Sequence, residues 1–79
     1  MQWQQKGQHM RKNLKEARQK AGMTQQQMAD RLKINERYYK SIESGERLGS
    51  IKIWDKIEDI LDVNQRFLRE IRLDTRDSP

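Results

Sequence analysis

The chain has 79 residues, with 17 lysines and arginines against 12 acidic residues, a formal charge of +5 and a pI near 9.8. So short a chain makes one small domain that buries only about 60 % of the surface its unfolded form exposes, which leaves little room for an internal catalytic cavity. It has no cysteine, so disulfides, cysteine-held zinc and thiol catalysis are excluded; no apolar run approaches the ~20 residues of a membrane span, the polar N-terminus lacks a signal-peptide core, and a cytoplasmic location is the default.

Leu, Ile, Val and Phe together make up 15 of the 79 residues, close to the level at which disorder is suspected in highly charged chains. The charge is modest, however, and the apolar residues recur at helical spacing. The chain therefore reads as a folded, thin-cored helical domain.

Residues 1–9, MQWQQKGQH, are rich in glutamine and read as a flexible lead-in, with Trp3 disordered, folded back on the core or touching a partner. His9 has no second histidine with which to form a metal or catalytic pair. The domain proper is expected over 10–73. Asn13-Leu14-Lys15-Glu16 reads as a capping box, followed by Leu14, Ala17 and Ala21 on one face and Gly22 as the stop, with Met10 as an alternative start.

Thr24 precedes a polar run with Gln27 three residues on, so a helix of about two turns is expected from Gln25, with Met28, Ala29 and Leu32 as its buried stripe. After Lys33 and Ile34, Asn35 is a strong cap for a second helix. Its apolar members Tyr39 and Ile42 face the core and Gly45 ends it. Two short helices joined by two or three residues cannot lie antiparallel and still bury both stripes, so they cross steeply, as in a helix-turn-helix.

Gly45 to Gly49 forms a loop and Ser50 caps a fourth helix with a core stripe of Ile51, Trp54, Ile57 and Leu61. Asn64 caps a last helix carrying Phe67, Leu68, Ile71 and Leu73, and residues 74–79 read as a frayed tail. Ile53 and Ile60 form a second apolar line. With Phe67, Leu68 and Ile71 they exceed what one small core needs, and they are the candidate homodimer interface, the alternative being ordinary core filling.

The stretch Thr24–Gly45 (TQQQMADRLKINERYYKSIESG) resembles the helix-turn-helix of the Cro and phage-repressor-like regulators, the XRE family. Gln25 stands at the family's glutamine, Met28-Ala29 at its Leu-Ala core pair, Ile34-Asn35 at its Val-Ser turn, Tyr39 at its usual Ile, and Ile42-Glu43-Ser44-Gly45 at its Ile-Glu-x-Gly ending. Lys33 departs from the family's turn glycine, so either it carries a left-handed backbone cost or the turn differs. Leu14–Gly22 looks like the family's first helix and the segments after Ser50 like its last two, so the resemblance spans roughly residues 13–70. It implies an all-α, lambda-repressor-like five-helix DNA-binding domain containing a helix-turn-helix. It also implies a structural ion pair between Arg18 and Glu43.

The same resemblance puts the second motif helix in the major groove, with Glu36, Arg37 and Ser41 as base readers. Arg37 has the fork to pair with guanine O6 and N7; Glu36 is suited to accept from cytosine N4 or to hold Arg37 in position. Backbone and groove contacts are expected from Gln25, at a helix N-terminus that favours anions, and from Asn35, Tyr38, Lys40, Ser44 and Arg47. Residues 11–20 carry a local charge of +4, from Arg11, Lys12, Lys15, Arg18 and Lys20 against Glu16, which suits a phosphate-facing surface beside such a motif. No catalytic residue, metal or cofactor is expected. The partners are double-stranded DNA and a second copy of the chain, as a repressor on a palindromic operator. The alternative is a protein-interaction module, antitoxin-like, with an unidentified protein partner; Glu36 and Lys33 lend it some support.

Overall fold

The computed structural model describes residues 9–73. The expectations for residues 1–8, Trp3 among them, and for the tail 74–79 lie outside the described residues. The described chain is mostly helical: α1 (Lys12–Lys20), α2 (Gln25–Leu32), α3 (Glu36–Glu43), α4 (Ile51–Leu61) and α5 (Gln65–Arg69) follow one another.

Local chemistry sets most of these boundaries. Thr24 and Gln27 form the reciprocal capping box: the Gln27 amide donates to Thr24 Oγ1 at 3.0 Å and the Thr24 amide to Gln27 Oε1 at 2.9 Å. Asn35 Oδ1 accepts from the Tyr38 amide at 2.7 Å, and Ser50 Oγ and Asn64 Oδ1 start α4 and α5 in the same way. Lys33 takes the left-handed cost itself, at φ 60°, ψ 42°, as the C-cap of α2. Gly45 sits at φ 89° just beyond the C-cap of α3, where a side chain would be strained.

α1 departs from the expected capping box. The helix starts at Lys12 with Arg11 at the N-cap and no side-chain cap bond. Asn13 is instead buried in the first turn, where its amide donates to Phe67 O at 3.0 Å and to Glu70 Oε1 at 2.8 Å. An amide able to bridge two elements takes the tertiary bond in preference to a local one that water replaces.

The core consists of Leu14, Met28, Ala29, Leu32, Tyr39, Ile42, Trp54, Ile57 and Leu68. α2 packs on α3, α1 on α3 and α5, and α4 on α2 and α5. Trp54 is the largest fully buried side chain, and its indole N–H donates to Leu48 O at 2.8 Å, which satisfies its one polar group. Gly49, at φ 82°, makes this approach possible, because a Cβ there would lie 3.2 Å from Trp54 Nε1 and 3.3 Å from Ile42 Cδ1.

Four apolar residues differ from expectation. Ile51 is 73 % exposed, because α4 begins at Ile51 and turns Trp54 and Ile57 inward while its first residue faces out. Leu68 is fully buried in the core, so it has no surface to offer a second copy. Ile71 and Leu73 do not continue α5, which ends at Arg69; Arg72 and Leu73 instead pair antiparallel with His9 and Met10 as the short strands β2 and β1. His9, expected in the lead-in, is thereby paired through its backbone with Leu73.

The left-handed Lys33 gives a direct test. Lys33→Gly relieves the backbone cost while making the unfolded chain more flexible, and should raise stability by about 0.5–1 kcal/mol, a Tm gain of a few degrees. An unchanged or lower Tm would contradict the strain at this turn.

Candidate nucleic-acid interface

The orientation of α3 rests on one carboxylate. Glu43 is buried, and its Oε2 accepts from Arg18 Nε at 2.8 Å and from the Tyr39 hydroxyl at 2.7 Å. Its Oε1 accepts from Arg18 Nη2 at 3.1 Å and from Gln25 Nε2 at 3.0 Å. Arg18 also donates from Nη1 to Met23 O at 2.7 Å, the carbonyl just ahead of α2. One acidic group at the end of α3 therefore gathers α1, the first residue of α2 and α3 itself.

The electrostatics follow from this geometry. The hydrogen bond to Glu43 raises the Arg18 pKa, with burial opposing it. Burial and the adjacent Glu43 charge push the Tyr39 hydroxyl well above the ordinary tyrosine value, so it stays a donor.

On its outer side α3 borders a shallow concavity lined by Asn35, Arg37, Tyr38, Lys40, Ser41, Ser44 and Arg47, with Glu46 at the rim. Most of the residues expected to meet DNA thus share one surface. Their states differ. Arg37 is exposed and makes no ion pair among the described residues. Glu36 does not hold Arg37; it pairs one turn on with Lys40 at 3.6 Å, an exposed i,i+4 contact worth little in water. Tyr38 is half-buried against the core. Asn35 spends its side-chain oxygen on the cap. Ser41 is only 8 % exposed and its hydroxyl donates to Tyr38 O at 2.6 Å, a back-bond to its own helix.

Gln25 belongs to an adjoining hollow lined also by Lys15, Arg18, Lys40, Glu43 and Ser44. Its amide is committed to Glu43, so what it presents outward is the start of α2 with its free amides. Lys15 was not among the expected site residues. The signal for it was the +4 charge of residues 11–20, of which the fold places this one lysine beside Gln25 and Lys40.

α2, a left-handed turn at Lys33 and α3 with one solvated face define a helix-turn-helix. The family model described as helix-turn-helix matches residues 14–64, more than half of the chain. The chain belongs to that family, the Cro and phage-repressor-like (XRE) class, whose members are DNA-binding domains of transcription regulators and not enzymes. No curated protein and no solved structure matches the chain significantly. Among the described residues no helix is long and apolar enough to cross a membrane, and no group of His, Asp or Glu is placed to hold a metal ion.

The pKa of Tyr39 ties the site to pH. A hydroxyl whose folded pKa is raised stabilises the fold fully below its unfolded value near 10, and this stability is lost as pH rises towards the folded value. In Tyr38→Phe, where Tyr39 is the last tyrosine, ultraviolet titration should show no tyrosinate around pH 10 until the domain unfolds. Ordinary titration near 10 in the folded protein would contradict the buried contact with Glu43.

Proposed function

We propose that this chain is a sequence-specific regulator that binds double-stranded DNA as a homodimer and acts as a repressor by occupying a two-fold-symmetric operator. The observation that carries the proposal is the exposed Arg37 near the start of α3, without an ion pair among the described residues, flanked by Lys40 and Arg47 on one shallow surface beside the Glu43 network. Arg37 reads guanine through its bidentate fork, and Glu36, once released from Lys40, accepts from cytosine N4. Gln25, with the start of α2, and Asn35, Tyr38, Lys40, Ser44 and Arg47 supply backbone and groove contacts that set register.

Phe67 at 53 % and Ile71 at 42 % exposure give the second copy an apolar surface, with the half-buried Ile53 and Ile60 at the margin of the core rather than free to pair. Two recognition helices about one helical turn apart, ~34 Å, would read a palindrome. Repression is then exclusion of polymerase and needs no catalytic group. A second reading, a protein-interaction module with little specific DNA binding, draws on the Glu36–Lys40 pair, which cancels charge on the outer face of α3.

Selection from a random duplex library at about 150 mM salt separates the two, since non-specific binding is weak there. The expected result is a two-fold-symmetric motif, on which Arg37→Ala loses about 1–3 kcal/mol and relaxes one base position. Binding without enrichment, fading as salt rises, would favour the interaction module.

A further inference from the structure

Among the described residues, Arg11 is the one buried cation that the Glu43 network does not use. It is 3 % exposed and forms no ion pair among the described residues. Its side-chain hydrogen-bond partners among the described residues are all carbonyl oxygens. Nη1 donates to Ile42 O at 2.6 Å and to Arg47 O at 3.0 Å, and Nε to Arg69 O at 3.0 Å. Its backbone amide donates to Glu43 O at 2.9 Å, and the guanidinium lies 5.2 Å from the centre of the Trp54 ring.

Ile42 and Glu43 are the last residues of α3, and Arg11 meets both of their carbonyls, sharing that of Ile42 with the Gly45 amide at 3.2 Å. A cation there also complements the negative end of the helix dipole. The Arg47 carbonyl belongs to the loop whose side chain lines the concavity, and the Arg47 amide in turn donates to Ser41 O at 3.0 Å. Burial, with Arg69 close by, lowers the Arg11 pKa, so the site gives up solvation that no carboxylate of the described residues repays. Three carbonyls from two helix ends and a loop need a planar fork with separate donors; a lysine ammonium cannot meet them in this geometry.

We infer that Arg11 is a positioning residue for DNA recognition: by clamping the C-terminal end of α3 and the Arg47 loop to the end of α5, it fixes the relative placement of Arg37 and Arg47. The inference rests on the DNA-reading surface described above, and one arm of its test does not use DNA.

Amide hydrogen exchange on the full chain supplies that arm. In Arg11→Lys, the amides of Gly45 and Arg47, which close onto Ile42 and Ser41, should exchange at least about tenfold faster, with the Ile34 amide, bonded to Ala29 O, unchanged. Loss of global stability alone would speed all three together and would overturn the inference, as would no change at all. In the wild type, the Arg11 Nε proton should give a slowly exchanging resonance, and rapid exchange of that proton would overturn it even if the variant fails to fold. The second arm compares the selected duplex with a scrambled one. Arg11→Lys, which keeps the charge, should lose about tenfold or more of the preference between them, whereas a purely structural role weakens both equally and leaves the ratio intact. A wild type that selects no duplex would count against the proposed function, and the exchange arm would still decide Arg11.

Discussion

A buried carboxylate must be surrounded by donors or it neutralises, and Glu43 meets that condition with four hydrogen bonds from three side chains. The donors come from three different helices, so the condition is met only when α1, α2 and α3 sit in one arrangement. The requirement is geometric before it is energetic: an apolar contact in its place would tolerate small rotations of α3, whereas the Arg18 fork does not. The outer face of α3 inherits that precision, and with it the direction in which Arg37 points. Removing one donor leaves the others, but removing the carboxylate strands Arg18 and the Tyr39 hydroxyl in a dry site.

Two buried arginines divide the remaining work. Arg18 joins the beginning of the motif to its end through a charge, and Arg11 joins the end of α3 to the C-terminal part of the chain through carbonyls. Nine buried apolar residues form the core of the described chain, a small number on which to hold five helices. Polar cross-ties such as these, together with Asn13 to Phe67 and Trp54 to Leu48, set the orientations that so small a core leaves open. The Glu43 network borders the surface that would meet phosphate and bases, where orientation matters most.

Much of this was legible in the sequence because it is local. Thr24 with Gln27, Asn35, Ser50 and Gly45 act within one turn of the residues they cap, and the strain at Lys33 follows from the wrong residue type in a tight turn. The Arg18–Glu43 partnership spans 25 residues and became visible only through the family resemblance. What sequence reading missed is tertiary. Arg11 looked like one charge in a basic run, yet its partners stand 31, 36 and 58 residues away. Asn13 has the composition of a cap and the position of a bridge. Ile51 and Leu68 were misplaced because a helix of a few turns has too few apolar residues to fix its phase, and the strand pair of two residues on each side carries no periodicity to detect. On the candidate surface, Arg37, Lys40 and Arg47 were named through the family resemblance, while the back-bond of Ser41 depended on a hydroxyl rotor that no pattern encodes.

Urea unfolding of Glu43→Ala beside the wild type at neutral pH addresses the carboxylate most directly. A loss of about 3–5 kcal/mol, enough to leave so small a domain largely unfolded, is the outcome that a buried, four-times-donated carboxylate requires. Stability equal to that of the wild type would mean that Glu43 does not hold α3 in place, and the orientation of the whole reading surface would then need another cause.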